Sequence, residues 1–109
     1  MKKIETLSEL NALLQESAHQ SVYFYKHSDR CSLCHLAIQE VQEFQREHPE
    51  AKVGFIDVLR NRDISNALAE RSKIRHESPQ IILYEKQEPV FHTSHSKITK
   101  EELERHYKS

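Results

Sequence analysis

The chain has 109 residues, the size of one domain built on one core, and its 16 Lys and Arg against 17 Asp and Glu leave a net charge of −1. Those charges are spread without single-sign blocks, so no electrostatic case for binding nucleic acid follows. Hydrophobic residues make up 37% and charged residues 30%, polar for a globular domain yet with apolar clusters that can order a core.

Met1-Lys2-Lys3 starts like a signal peptide, but Glu5 and Glu9 interrupt any apolar stretch, so export is not expected. No run approaches the roughly eighteen apolar residues of a membrane helix. A cytoplasmic protein with a single domain over residues 1–109 is the expectation.

Thr6 or Ser8 can cap a first helix in which Leu7, Leu10, Leu14 and Ala18 recur at steps of three and four, with Glu9 adding favourable charge to the first turn. Ser21 to Lys26 is aromatic and β-branched and too short for a typical helix, which reads as a strand. After His27-Ser28-Asp29-Arg30, helical spacing of Leu33, Leu36, Ala37, Val41 and Phe44 runs to His48-Pro49, where proline ends the helix. Cys31 falls at the start of that second helix.

Lys52 to Val58 carries Val53, Phe55, Ile56 and Val58 and predicts a second strand. Asn61 or Asp63 then opens a helix with Ile64, Ala67, Leu68 and Arg71 on one side. Gln80 to Tyr84, after Pro79, predicts a third strand. Gln87 to Pro89 reads as a turn into a fourth, Val90 to Thr93, which Pro89 places on an edge. Thr99 with Glu102 predicts a capping box before the last helix. The order of elements is that of an α/β domain, a central mixed four-stranded sheet flanked by helices. Gly54 is the only glycine, which excludes the Gly-rich phosphate cradles of common nucleotide-binding motifs.

Chemistry concentrates at Cys31-Ser32-Leu33-Cys34. A thiolate is the reactive form of cysteine, and the free N–H groups and positive dipole end of a helix favour it at Cys31. Lys26, His27, Arg30 and His35 stand close in sequence and can add positive potential. Cys34 lies about one turn further on, within reach of a mixed disulfide formed on Cys31, which makes it the resolving thiol. Three competing readings stand beside this one. Two cysteines can be small packed hydrophobes. A zinc site lacks a second Cys-x-x-Cys half and needs His27 and His35 to complete it. Cys31-Ser32-Leu33-Cys34-His35 also fits c-type haem attachment, which the absent export signal and the strand-helix alternation oppose. The remaining histidines have no ligand spacing, so no metal and no bound cofactor are expected. Ser78-Pro79, just before the third strand, is a candidate cis bond that presents backbone beside a site.

Lys26-His27-Ser28-Asp29-Arg30-Cys31 and His76-Glu77-Ser78-Pro79-Gln80 together resemble the monothiol bacilliredoxin family, and the likeness runs through nearly the whole chain. The resemblance implies a thioredoxin-like fold and removal of bacillithiol from S-thiolated protein cysteines. In that scheme Cys31 is the nucleophile and Ser78 and Pro79 form the substrate-side cis-proline loop. The chain departs from the family pattern at Ser32, where proline is usual, and at Cys34, where cysteine is not. The expected activity is thiol–disulfide exchange with bacillithiol as co-substrate and S-bacillithiolated proteins as clients. The alternatives are a general dithiol disulfide reductase, served by a thioredoxin-reductase-like flavoprotein, and a non-enzymatic redox-switched binding module.

Overall fold

The computed structural model describes residues 1–108. Five strands form a mixed sheet in the order β1-β3-β2-β4-β5: β1 Lys2–Lys3, β2 Val22–His27, β3 Lys52–Asp57, β4 Gln80–Glu85 and β5 Glu88–Ser94. Helices α1 Leu7–Glu16 and α3 Arg62–Ser72 cover one face. Helices α2 Ser32–Glu47 and α4 Lys100–His106 cover the other. This is a thioredoxin fold, of the α/β class.

Strand β2 is buried at all six positions because both faces of the sheet are covered there. Val22 and Phe24 point into the cluster of Leu10, Leu13 and Leu14 from α1 and Ile64 and Leu68 from α3. Tyr23 and Tyr25 point the other way, against Ala37, Val41 and Phe44 of α2. Burying each large side chain of this kind stabilises the fold by about 1.5–3 kcal/mol. The period of two carries on to Lys26, which therefore enters the α1/α3 side although it is charged.

The sheet has one strand more than the four expected. Strand β1 pairs parallel with β3, Lys2 opposite Gly54 and Lys3 opposite Phe55. Two exposed lysines carry no strand signature; Ile4, the next residue, holds the pairing, since its side chain is buried and its N–H donates to the Phe55 carbonyl at 2.8 Å. Gly54 makes room for this edge: a Cβ there would lie 2.5 Å from Ile4 Cδ1 and 2.9 Å from Leu13 Cδ1.

The β4–β5 turn sits at Lys86 and Gln87, whose φ of 54° and 62° are the left-handed values a tight hairpin needs. The turn expected at Gln87 to Pro89 is thus displaced, and Pro89 lies inside β5, tolerated because that strand is an edge. Thr6 and Glu9 form a complete capping box on α1. On α4 only half of the expected box forms: Thr99 accepts from the Glu102 N–H, while the Glu102 carboxylate turns to Arg105 at 3.1 Å. Among the described residues no helix is long and apolar enough to cross a membrane.

Candidate active site

Three segments meet at one end of the sheet because of its topology. Strand β2 runs out into Ser28-Asp29-Arg30 and then Cys31. Strand β3 lies parallel to it, so the segment leading into α3 leaves at the same end, with the Val58 N–H donating to the His27 carbonyl at 2.9 Å. Strand β4 is antiparallel to β2 with Lys26 opposite Gln80, which sets Ser78 and Pro79, just before β4, beside the end of β2.

Cys31 is the N-cap of α2, with extended backbone at φ −116° and ψ 120°. The Cys34 backbone N–H is shared between the Cys31 carbonyl at 3.1 Å and the Cys31 sulfur at 3.3 Å, so a donor at the helix start faces Cys31 Sγ. Cys31 is half-buried and Cys34 is 0% exposed; both are free thiols. Burial, followed by the hydrogen bond with the Cys31 thiol, pushes the Cys34 thiol above its ordinary value, against the lowering pull of the Ser78 hydroxyl at 3.6 Å. The Ser78-Pro79 peptide bond is cis.

The four basic side chains near Cys31 in sequence take other directions. Lys26 is 0% exposed, and its Nζ donates to the Ser65 carbonyl and to His76 Nδ1, each at 3.1 Å. His27 is buried, with Nδ1 2.9 Å from the Tyr25 hydroxyl and Nε2 3.0 Å from Asp29 Oδ1. His35 Nε2 lies 3.3 Å from the Asp29 carbonyl, and Arg30 is exposed. Among the described residues none of the four makes a hydrogen bond to a cysteine sulfur.

Sequence reasoning missed Tyr25, whose hydroxyl lies 3.3 Å from the Cys34 carbonyl. Burial first, and then the two cysteines, push its phenol well above the usual value, so it stays a neutral hydroxyl. It also missed the wall that α3 contributes. A cleft of about 280 Å³ opens beside Cys31 and is lined by Ser28, Arg62, Ser65, Asn66, His76 and Ser78, with Val58 and Leu59. The signal for the first was the alternation along β2, which turns Tyr25 toward α2. For the second no local pattern existed, because Arg62 and Asn66 read as an ordinary solvated helix face. Among the described residues no three His, Cys, Asp or Glu side chains gather as a metal set, so His27 and His35 do not join the two thiols in one.

Solved structures with this architecture include one described as having a thioredoxin fold, 24% identical with a TM-score of 0.88, covering 95% of this chain and 90% of that one. Thioredoxin O1 from Arabidopsis thaliana, in its oxidised state, matches with a TM-score of 0.80 at 15% identity, over 98% of this chain and 97% of its own. Fasciola hepatica thioredoxin gives 0.76 at 18% identity, over 96% and 94%. These likenesses establish the fold. The model of the monothiol bacilliredoxin BrxC family matches residues 2–103. With that match over almost its whole length, the chain belongs to the monothiol bacilliredoxin family and is a thiol–disulfide oxidoreductase.

Proposed function

We propose that the protein removes bacillithiol from S-bacillithiolated client proteins in the cytoplasm, with Cys31 as nucleophile, Cys34 as resolving thiol and the Ser78-Pro79 loop against the substrate. The observation that carries this reading is the asymmetry of the two sulfurs. Cys31 is accessible at the helix start with an N–H directed at it, whereas Cys34 is fully buried with its thiol held protonated. The Cys31 thiolate attacks the bacillithiol sulfur of the client's mixed disulfide. A Cys31–bacillithiol bond forms, and the client leaves as a thiolate that takes a proton from solvent. Cys34, after losing its proton, attacks Cys31 Sγ and expels bacillithiol, leaving a Cys31–Cys34 disulfide. Two molecules of a low-molecular-weight thiol, leaving as their own disulfide, or a flavoprotein disulfide reductase supplying two electrons and two protons return both thiols.

Cys34 also favours a second reading, a general dithiol disulfide reductase, since a monothiol cycle has no use for it. Turnover on a bacillithiolated client is compared with turnover on an insulin-type disulfide at equal concentration. Preference for the bacillithiolated client supports the first reading, and preference for insulin replaces it with the second.

A further inference from the structure

The cleft beside Cys31 has a chemical bias that thiol exchange alone does not require. Its polar lining consists of Arg62, Asn66, His76, Ser65, Ser78 and Ser28, and among the described residues no Asp or Glu is in its walls. Beneath it lies the Lys26 ammonium, 0% exposed, whose partners are the neutral Ser65 carbonyl and His76 Nδ1. Among the described residues Lys26 forms no salt bridge. Glu77, the acidic neighbour of His76, takes a hydrogen bond from Ser94 instead.

A buried cation without a carboxylate partner costs several kcal/mol, a cost that an anionic ligand offsets. The geometry also fixes the tautomer of His76. Lys26 Nζ and Ser65 Oγ both lie 3.1 Å from Nδ1, and an ammonium can only donate. Nδ1 therefore accepts, and the ring proton sits on Nε2, a donor with no acceptor among the described residues. Burial first, and after it the charges of Lys26 and Arg62, lower the His76 value against the opposing pull of Glu77.

We propose that this cleft is a subsite for the carboxylate-bearing part of a low-molecular-weight thiol joined to Cys31, held by Arg62, Asn66 and His76 over the buried Lys26. The assignment rests on the thiol-exchange reading above. A cleft of about 280 Å³ walled by α3 and the Ser78 segment holds a small group rather than an extended peptide. Arg62 is exposed at the rim and able to meet a carboxylate in bidentate fashion. Lys26 does not reach the ligand; it is a positioning residue that sets His76 and the local potential.

Two measurements on the full chain test the subsite. The first is the rate at which Cys31 is modified by the disulfide of mercaptosuccinate and by the uncharged hydroxyethyl disulfide, followed by intact mass. The wild type reacts about tenfold or more faster with the dicarboxylate, as a charge-assisted contact implies. Arg62→Gln and Lys26→Met each bring the ratio of the two rates close to one. A merely structural loss lowers both rates and leaves the ratio unchanged, which overturns the assignment. The second measurement is an NMR titration with S-methyl mercaptosuccinate, a thioether that cannot exchange. Shifts at Arg62, Asn66 and His76 support the subsite. Equal rates with both disulfides and no shifts at those residues overturn the subsite while leaving thiol exchange standing. No modification by either disulfide, with thioether shifts present, sinks the exchange reading and keeps the subsite. A short Asp- and Glu-rich peptide that displaces the thioether at lower concentration assigns the cleft to client side chains and overturns the proposal.

Discussion

Lys26→Met removes the buried ammonium while keeping an unbranched side chain of similar volume, and it should stabilise the protein at pH 7. Burial holds the Lys26 pKa down from 10.5 to about 8, a difference that sets the cost of the charged form in the fold at ~3 kcal/mol. Methionine gives up the two contacts of Nζ, but the Ser65 carbonyl keeps its helical N–H partner and His76 Nδ1 keeps the Ser65 hydroxyl. The net gain is therefore ~1–2 kcal/mol, or several degrees in Tm for a chain of this size. The pH dependence has a definite sign. Below about pH 8 both folded and unfolded wild type hold the proton and the full cost is present. Between about 8 and 10.5 the folded state releases the proton while the unfolded state keeps it, so wild-type stability rises with pH. The advantage of Lys26→Met shrinks through that window and is gone at its top. Urea unfolding of both proteins under reducing conditions at pH 7 and pH 10 measures the two differences. A mutant less stable than wild type by more than about 1 kcal/mol at pH 7, or a gap that does not change between the two pH values, rules out a net cost for the buried charge.

Cys34→Ser should trap the incoming thiol as an adduct on Cys31, and Cys31→Ser should leave little reaction; no adduct on Cys34→Ser together with a stable adduct mapped to Cys34 in Cys31→Ser reverses the two roles. Gly54→Ala forces the buried Ile4 and Leu13 side chains to move, since a Cβ would lie 2.5 Å and 2.9 Å from their Cδ1 atoms. It should cost ~1–3 kcal/mol, visible as a lower urea midpoint, and an unchanged midpoint would mean that the β1 edge gives way freely. Tyr25→Phe removes a buried hydroxyl that lies 2.9 Å from His27 Nδ1 and 3.3 Å from the Cys34 carbonyl. It should cost ~1 kcal/mol, and NMR of the His27 ring should report the lost hydrogen bond; a ring signal identical to wild type argues against that contact.

The helices and the three inner strands were legible because their apolar residues repeat at the period of the element that buries them. Ile64 and Leu68 mark the inward side of α3, and Val22 to Tyr25 mark a strand buried on both faces. Strand β1 was not legible, since Lys2 and Lys3 point to solvent and the pairing depends on Ile4 docking beside a glycine far along the chain, Gly54. At the site, Cys31 and Cys34 announced themselves by spacing, and so did the Ser78-Pro79 bond by its place before a strand. The directions of the basic residues did not. Proximity in sequence suggested that Lys26 and His27 serve the Cys31 sulfur, but consecutive strand residues face opposite ways. Lys26 goes to α3, and His27 goes to Tyr25 and Asp29.

The same alternation specifies the two sides of the site. Along β2 the face toward α1 and α3 reads Val22, Phe24, Lys26, and the face toward α2 reads Tyr23, Tyr25, His27. Each face is apolar where it meets the core and polar where the strand approaches Cys31. One strand thus delivers a cation to the cleft and a hydroxyl–imidazole pair to the region behind Cys34. A slip of one residue in its pairing with β3 or β4 would exchange the two sets, moving Lys26 under α2 and Tyr25 under α3. The slip is opposed by the core: it would drive Phe24 out of its edge contact with Tyr84 at 5.4 Å, and Tyr23 out of its edge contact with Phe44 at 5.5 Å. The aromatic packing at one end of β2 therefore sets which side of Cys31 is cationic at the other, so the core and the chemistry of the site are written in the same register.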